Sequence, residues 1–378
     1  MTQSRLDAIR EVIDWPRGSF ARRRLTLEIE VHRLRQRMAA SAAKRGLSVP
    51  HALQLRRKAH VRVLSVAEPV LMVAVGGTPR LWMVRTLARE LRGRPAVFLL
   101  LLYWSAESEA AVSVFHREAE RFRADFPDHA LVFLCNTARE RELFRAAGET
   151  AFFANHNMLV REDVFRPLTD VSPRFDAVYN AKLAVFKRHS LAALVAQRAL
   201  VTYVDGVDMP PAASRAFFRG LALDGWGVVN PLVDGLPRPI SPEDVNRAYA
   251  EARVGLCLSA EEGAMYASVE YMLAGLPVVT TPSRGGREVF IDPEFCTTVE
   301  PDPQAVRAAV DGLIAADIPR EHIRASTLER LGAHRRQFCD QLGAFMQARS
   351  GLALQFEAVA GMPVTAPIAD HLSRLKTR

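Results

Sequence analysis

Two carboxylates, Glu262 and Glu270, with seven residues between them, bracket the stretch of this sequence whose residue types suit chemistry best. Between them lies Gly263-Ala264-Met265, where the chain turns from a polar loop into a helical pattern. Backbone N–H groups at a helix N-terminus have no intrahelical acceptor and carry positive dipole character, so they suit a phosphate. Gly263 lets a ligand approach the backbone closely. The two carboxylates would repel a phosphate, so they make better sense as acceptors for hydroxyl groups on either side of it. A ribose, a diphosphate and a sugar in series have that layout, which is the layout of a nucleoside diphosphate sugar.

The positioning elements are legible on both sides. Val254 to Leu258 is a short apolar run, Ser259 to Gly263 a polar loop, and Ala267 to Ala274 a helical stretch closed by Gly275, after which Pro277 leads into Val278-Val279. This reads as strand, loop, helix, glycine stop and strand. Neither strand alternates with polar residues, so both are expected inside a parallel sheet covered on two faces.

Glu262-Gly263, Glu270 and Ala274-Gly275-Leu276-Pro277-Val278-Val279 together resemble the Glu-x7-Glu signature of retaining GT-B glycosyltransferases of the family-4 type, glycosyl transferases group 1. The resemblance implies an α/β chain with the GT-B fold: two Rossmann-like doubly wound domains facing a cleft. It implies that Glu262 contacts the donor sugar and Glu270 the ribose, with Gly263, Ala264, Met265 and Ser268 also on the donor. It further places two cations on the diphosphate, at positions matched by Lys182 and Lys187. Such cations stabilise the charge that builds on a leaving diphosphate. The family usually has Arg at the first position, and Lys182 lacks its bidentate fork. Ser283-Arg284-Gly285-Gly286-Arg287-Glu288 resembles the family's Gly-Gly-x-Glu loop, whereas Gly263-Ala264-Met265 departs from its Gly-Phe-Gly. On the acceptor side, Gly76-Gly77 resembles the glycine turn after the first strand, and Asn155-His156-Asn157 with Phe165-Arg166-Pro167 resembles the interdomain segment, from which His156 could reach the cleft.

The remaining elements fit two domains. Strand-like runs begin at Val70, Ala96, Ala130 and Phe152, alternate with helical stretches, and give a doubly wound first domain. A second series begins at Phe175, with a strand to Asn180, a stretch over Lys182–His189 leading into a helix to Gln197, and a strand over 199–203. The expected boundaries are a basic helical N-terminal extension over 1–66, a short acceptor domain over 67–171, a donor domain over 172–318, and a C-terminal helix and tail over 319–378. Residues 320–348 have an apolar helical face, and residues 350–378 show no clear period.

Composition narrows the class. The chain has 378 residues, 49% hydrophobic and 24% charged, which is globular and large enough for two cores. Its longest apolar run is too short to span a bilayer, there is no signal-peptide pattern, and the four scattered cysteines read as buried thiols in a reducing compartment, so a cytoplasmic protein is expected. The net charge of +8 is uneven: residues 1–66 hold 15 Lys and Arg against 5 Asp and Glu. That segment is read either as a helix docking on anionic lipid at the inner face of a membrane or as a packed helix with a solvated Arg face. Basic residues without aromatic interleaving give no nucleic-acid motif. No Asp-x-Asp, P-loop, Cys-x-x-Cys or Gly-x-Ser-x-Gly occurs, so no metal or cofactor is expected.

The reading is a retaining, metal-independent hexosyltransferase that uses a UDP- or GDP-sugar and an unknown carbohydrate, lipid-linked or small-molecule acceptor. Two alternatives are a non-catalytic GT-B protein that binds nucleotide or carbohydrate beside an envelope-glycan assembly enzyme, and a sugar-nucleotide epimerase.

Overall fold

The computed structural model describes residues 58–66, 68–76, 81–204, 211–350 and 364–376. The calls on residues 1–57, including the basic helix and its membrane contact, and the one on Gly77 lie outside the described residues. The first sheet is built from β1 (Lys58–Ser65), β2 (Val70–Gly76), β3 (Ala96–Leu102), β4 (Ala130–Cys135) and β5 (Ala151–Phe153), with α1 (Trp82–Glu90), α2 (Glu109–Asp125) and α3 (Ala138–Ala146) between strands. β2 to β5 are parallel neighbours in chain order. β3, Ala-Val-Phe-Leu-Leu-Leu-Leu, is buried along its whole length, as a strand covered on both faces must be.

The second sheet contains β6 (Phe175–Asn180) and β7 (Arg198–Val201), then α4 (Pro211–Leu223) and β8 (Gly227–Val228). A small hairpin follows, β9 (Leu232–Val233) and β10 (Leu236–Pro237), then α5 (Pro242–Ala250), β11 (Ala252–Cys257), α6 (Tyr266–Leu273), β12 (Val278–Thr280) and β13 (Cys296–Thr298). Its strand order is β13-β12-β11-β6-β7-β8, all parallel. The order reverses between β11 and β6, and a crevice opens outside the carboxyl ends of strands at such a switch point.

Helices α7 (Pro303–Ala316) and α8 (Arg320–Ser350) follow. α8 joins the two halves: Ile323 and Leu331 enter the core of the second sheet, while Phe338, Leu342 and Met346 pack with Leu71, Leu99 and Val132 under the first. Arg324 donates to the carbonyls of Phe165 and Leu273, and Arg335 to those of Met158 and Val160, which ties the interdomain segment to this helix. The chain ends in β14 (Val364–Pro367) and α9 (Ile368–Lys376). β14 pairs antiparallel with β1, and α9 lies against α1 and β1, so the tail completes the first domain.

Three expectations need correction. Residues 58–65 form a strand, antiparallel to β2, and not the end of a helical extension, so the first domain is a six-stranded unit. The tail over 364–376 belongs to that same unit. The helix expected to follow Lys182–His189 up to Gln197 is a single 3-10 turn, His189–Ala192, preceded by another, Val185–Lys187, with Arg188 at φ 51 between them. Among the described residues, no helix is long and apolar enough to cross a membrane.

Candidate active site

The switch point collects the predicted residues. The loop after β11 carries Ser259 and Glu262, and the turn after β6 carries Lys182 and Lys187. Lys187 forms an ion pair with Oε1 of Glu262, and both side chains are largely buried. Ser259 donates its hydroxyl to the same oxygen at 2.5 Å. The Lys187 carbonyl accepts from the fully buried Tyr179 hydroxyl at 2.7 Å, which fixes the turn that presents the ammonium. Lys182 is placed differently: its Nζ lies 5.4 Å from the centroid of Phe186 and 6.0 Å from that of Trp104. The Lys187 Nζ also lies 5.4 Å from the Phe186 ring, so this ring has both cations beside it.

Arg287, which the residue pattern alone had not singled out, lies beneath this pair with no exposed surface. Its Nη1 donates to the Ser259 carbonyl at 3.1 Å, and its Nη2 donates to the Thr281 carbonyl. It thereby holds the loop that orients Glu262. Gly285 adopts φ 110, and a Cβ there would run into the Glu262 carbonyl, so only glycine lets the 284–287 loop lie this close. That loop is stitched to the first by Glu262 N to Arg284 O at 3.0 Å and Gly286 N to Gly263 O at 2.5 Å.

Glu270 sits on the next turn of α6, partly exposed. Tyr249 donates to its Oε2 at 2.7 Å, and Asn180 Nδ2 lies 3.5 Å from the same oxygen. Burial pushes the carboxyl up to about 7, against the pull of these two donors. Between Glu262 and Glu270, the N–H groups of residues 263–267 have no acceptor among the described residues. Met265 at φ 57 turns the chain into α6 with no side-chain cap. A buried run of unanswered donors is costly unless something accepts from it. Ser268 is fully buried, donates to the Met265 carbonyl at 2.8 Å and so braces this loop from inside.

The first domain closes over the loop. The position of a Gly263 Cβ is occupied by the Tyr103 carbonyl, with the His156 ring close by, and that of Gly286 by Asn155 and Asn136. His156 is buried, 4.5 Å from the Tyr266 ring, and burial lowers its pKa to about 3, so it is a neutral wall of the site. Asn155 Nδ2 donates to Asn136 O at 2.9 Å and to Gly286 O at 2.6 Å, one bond in each domain. Asn157 Nδ2 donates to the Ala264 carbonyl at 2.8 Å. His334 of α8 accepts from the Asn155 N–H at 2.9 Å. Asn136 is itself held by Glu140, whose carboxylate accepts from the N–H groups of Asn136 and Ala106, each at 2.7 Å, and which burial pushes up to about 7. Gly76 ends β2, paired with Leu102.

Of the predicted residues, Lys187, Glu262, Gly263, Ala264, Met265 and His156 come together. Glu270 follows on the same helix, and Lys182 stands at the edge beside Trp104. Arg287, Ser259, Tyr249 and the Asn136–Asn155–Asn157 series were missed. Arg287 and Asn155 stood inside motifs already noted, and their side-chain roles depend on contacts distant in sequence.

Residues 233–316 match the family model described as Glycosyl transferases group 1. No curated protein matches the sequence. Among solved structures, the fold is similar to Anabaena Alr3699/HepE in complex with UDP-glucose, at 16% identity and TM-score 0.50, covering 72% of this chain and 78% of that one. It is also similar to sucrose-phosphate synthase (tll1590) from Thermosynechococcus elongatus, at 17% identity and TM-score 0.50, covering 70% and 71%. The group 1 match falls on the second sheet and its switch-point loop, and the two-sheet fold is similar to that of these two structures.

Proposed function

We propose that the chain transfers a sugar, with retention, from a nucleoside diphosphate sugar to an acceptor hydroxyl. The observation that carries this reading is the buried Lys187–Glu262 pair at one end of the unanswered N–H run, with Glu270 a helical turn beyond the other end. The N–H groups of 263–267 suit the diphosphate, Lys187 and Lys182 its growing charge, Glu262 the sugar hydroxyls and Glu270 the ribose. The bond between the anomeric carbon and the phosphate oxygen breaks while the acceptor oxygen bonds to that carbon on the same face. The acceptor proton goes to the departing phosphate oxygen, so no protein nucleophile is required. The similar Anabaena protein was crystallised with UDP-glucose, which makes UDP the first nucleotide to try.

The test is thermal stabilisation by UDP, GDP, ADP and dTDP. A nucleotide at about 100 times its Kd adds about 2.7 kcal/mol. The shift should appear with one nucleotide and be lost in Glu270→Ala. No shift with any nucleotide in folded protein would remove the donor-site assignment.

A further inference from the structure

Three aromatic side chains remain exposed among the described residues: Tyr103, Trp104 and Tyr203, at 37%, 36% and 41%. They are not scattered. Tyr103 and Trp104 follow β3 in the first domain, and Tyr203 follows β7 in the second. The Tyr203 carbonyl accepts from Leu183 N at 3.1 Å, which sets it beside the Lys182 turn. The Trp104 ring lies 5.3 Å from Phe186 at 63°, and Lys182 stands beside both rings. The phenol of Tyr103 is held above its ordinary pKa by burial first and by Tyr203 second, as two neighbouring phenols require. Trp104 and Phe186, with Lys182 beside both, thus form a ledge across the two domains, flanked by Tyr103, whose ring also meets His60 edge-on at 6.0 Å, and by Tyr203.

The ledge joins the glycosyl end of the site. The Tyr103 carbonyl overlies Gly263, and Phe186 stands beside Lys187, the partner of Glu262. The ribose end, marked by Glu270 with Tyr249 and Asn180, uses other residues. The exposed aliphatic side chains Val114, Leu194, Leu223, Leu232 and Val233 lie on other elements, on α2, after the second 3-10 turn, at the end of α4 and in the β9–β10 hairpin. An acyl chain would need such aliphatic surface. Ring faces edged by hydroxyls and a cation suit a ligand with alternating C–H and O–H surface.

We propose that the acceptor is a saccharide, whose terminal pyranose lies on the Tyr103–Trp104–Tyr203 ledge with its attacking hydroxyl directed toward Glu262. This rests on the donor reading above and adds the acceptor class to it.

The test uses full-length protein labelled with 5-fluorotryptophan, which has four tryptophans, with the Trp104 resonance assigned from Trp104→Phe. UDP is added first, then methyl glucoside, galactoside, mannoside or N-acetylglucosaminide. At least one pyranoside should move the Trp104 resonance in the UDP-loaded protein, and Tyr203→Ala should weaken its binding about tenfold, the loss of one aromatic contact. Three results would overturn the proposal: no pyranoside moves Trp104 up to its solubility, UDP alone moves it and pyranosides add nothing, or octanol moves it as much as the sugars do. Because UDP binding is read separately, by thermal shift, a failed donor site and a failed ledge give different outcomes.

Discussion

Lys187 and Glu262 neutralise one another inside the switch-point crevice, with the Ser259 hydroxyl on the same carboxylate oxygen. A buried cation and a buried carboxylate are thus held as an ion pair, each presented in a fixed place. Breaking one partner leaves the other charge buried and alone.

Lys187→Ala is therefore expected to lower stability by about 3–5 kcal/mol, whereas Lys187→Met combined with Glu262→Gln should recover most of it. Urea denaturation measures both. Neither protein should transfer sugar, so the double variant separates the chemical loss from the structural one. Equal destabilisation of the single and double variants would contradict a buried pair.

The carboxyl of Glu270, pushed up to about 7, titrates within the working range. An acid whose folded pKa lies above its unfolded value stabilises the fold below the unfolded pKa, and this contribution fades as pH rises through about 7. Nucleotide binding should move the opposite way, strengthening as Glu270 ionises and accepts from the ribose. Kd for the nucleotide, measured from pH 5.5 to 8.5, should fall with rising pH in the wild type and lose that step in Glu270→Gln. An unchanged profile in the variant would assign the step elsewhere, with Glu140 the first candidate.

Gly263→Ala places a methyl group where the Tyr103 carbonyl sits. Because that contact crosses the two domains, the variant should hold them apart while leaving each core intact. The expected result is a small change in melting temperature, an increase in radius of gyration by small-angle scattering, and transfer reduced by at least about tenfold, the cost of a misplaced near-attack geometry. Full activity would show that this apposition is not the reacting state.

Arg287→Lys keeps the charge but not the fork that reaches Ser259 and Thr281 together. It should behave nearly as poorly as Arg287→Met, with a loss of about 2–4 kcal/mol in stability from carbonyls left without donors. Chemical denaturation reads this directly, and rescue by lysine would mean that charge alone is what the loops need.

The strand-loop-helix unit around Glu262 and Glu270 was legible because its signals are local: an unbroken apolar strand, a glycine stop and a proline restart. The two doubly wound units were legible for the same reason. Residues 58–65 were not, because Ala59, Val61 and Val63 alternate within a segment dominated by arginine, and their strand exists through pairing with β2 and β14. Residues 189–197 have helix-forming composition, yet Arg188 just before them is held left-handed while its guanidinium bonds the Leu258 carbonyl at 2.5 Å and the Thr281 hydroxyl at 2.7 Å. Tertiary bonds of that kind outweigh propensities of a few tenths of a kcal/mol per residue.

What the sequence by itself determined is the inventory: which carboxylates, lysines and glycines stand at strand ends, and that two parallel sheets would present them. Only the tertiary structure decided the pairings, Lys187 to Glu262, Arg287 to Ser259, Asn155 to both domains, and the His156 ring against Tyr266. Those contacts join residues tens to more than a hundred positions apart. Their existence depends on how two sheets and α8 come to rest against one another, which no local spacing encodes.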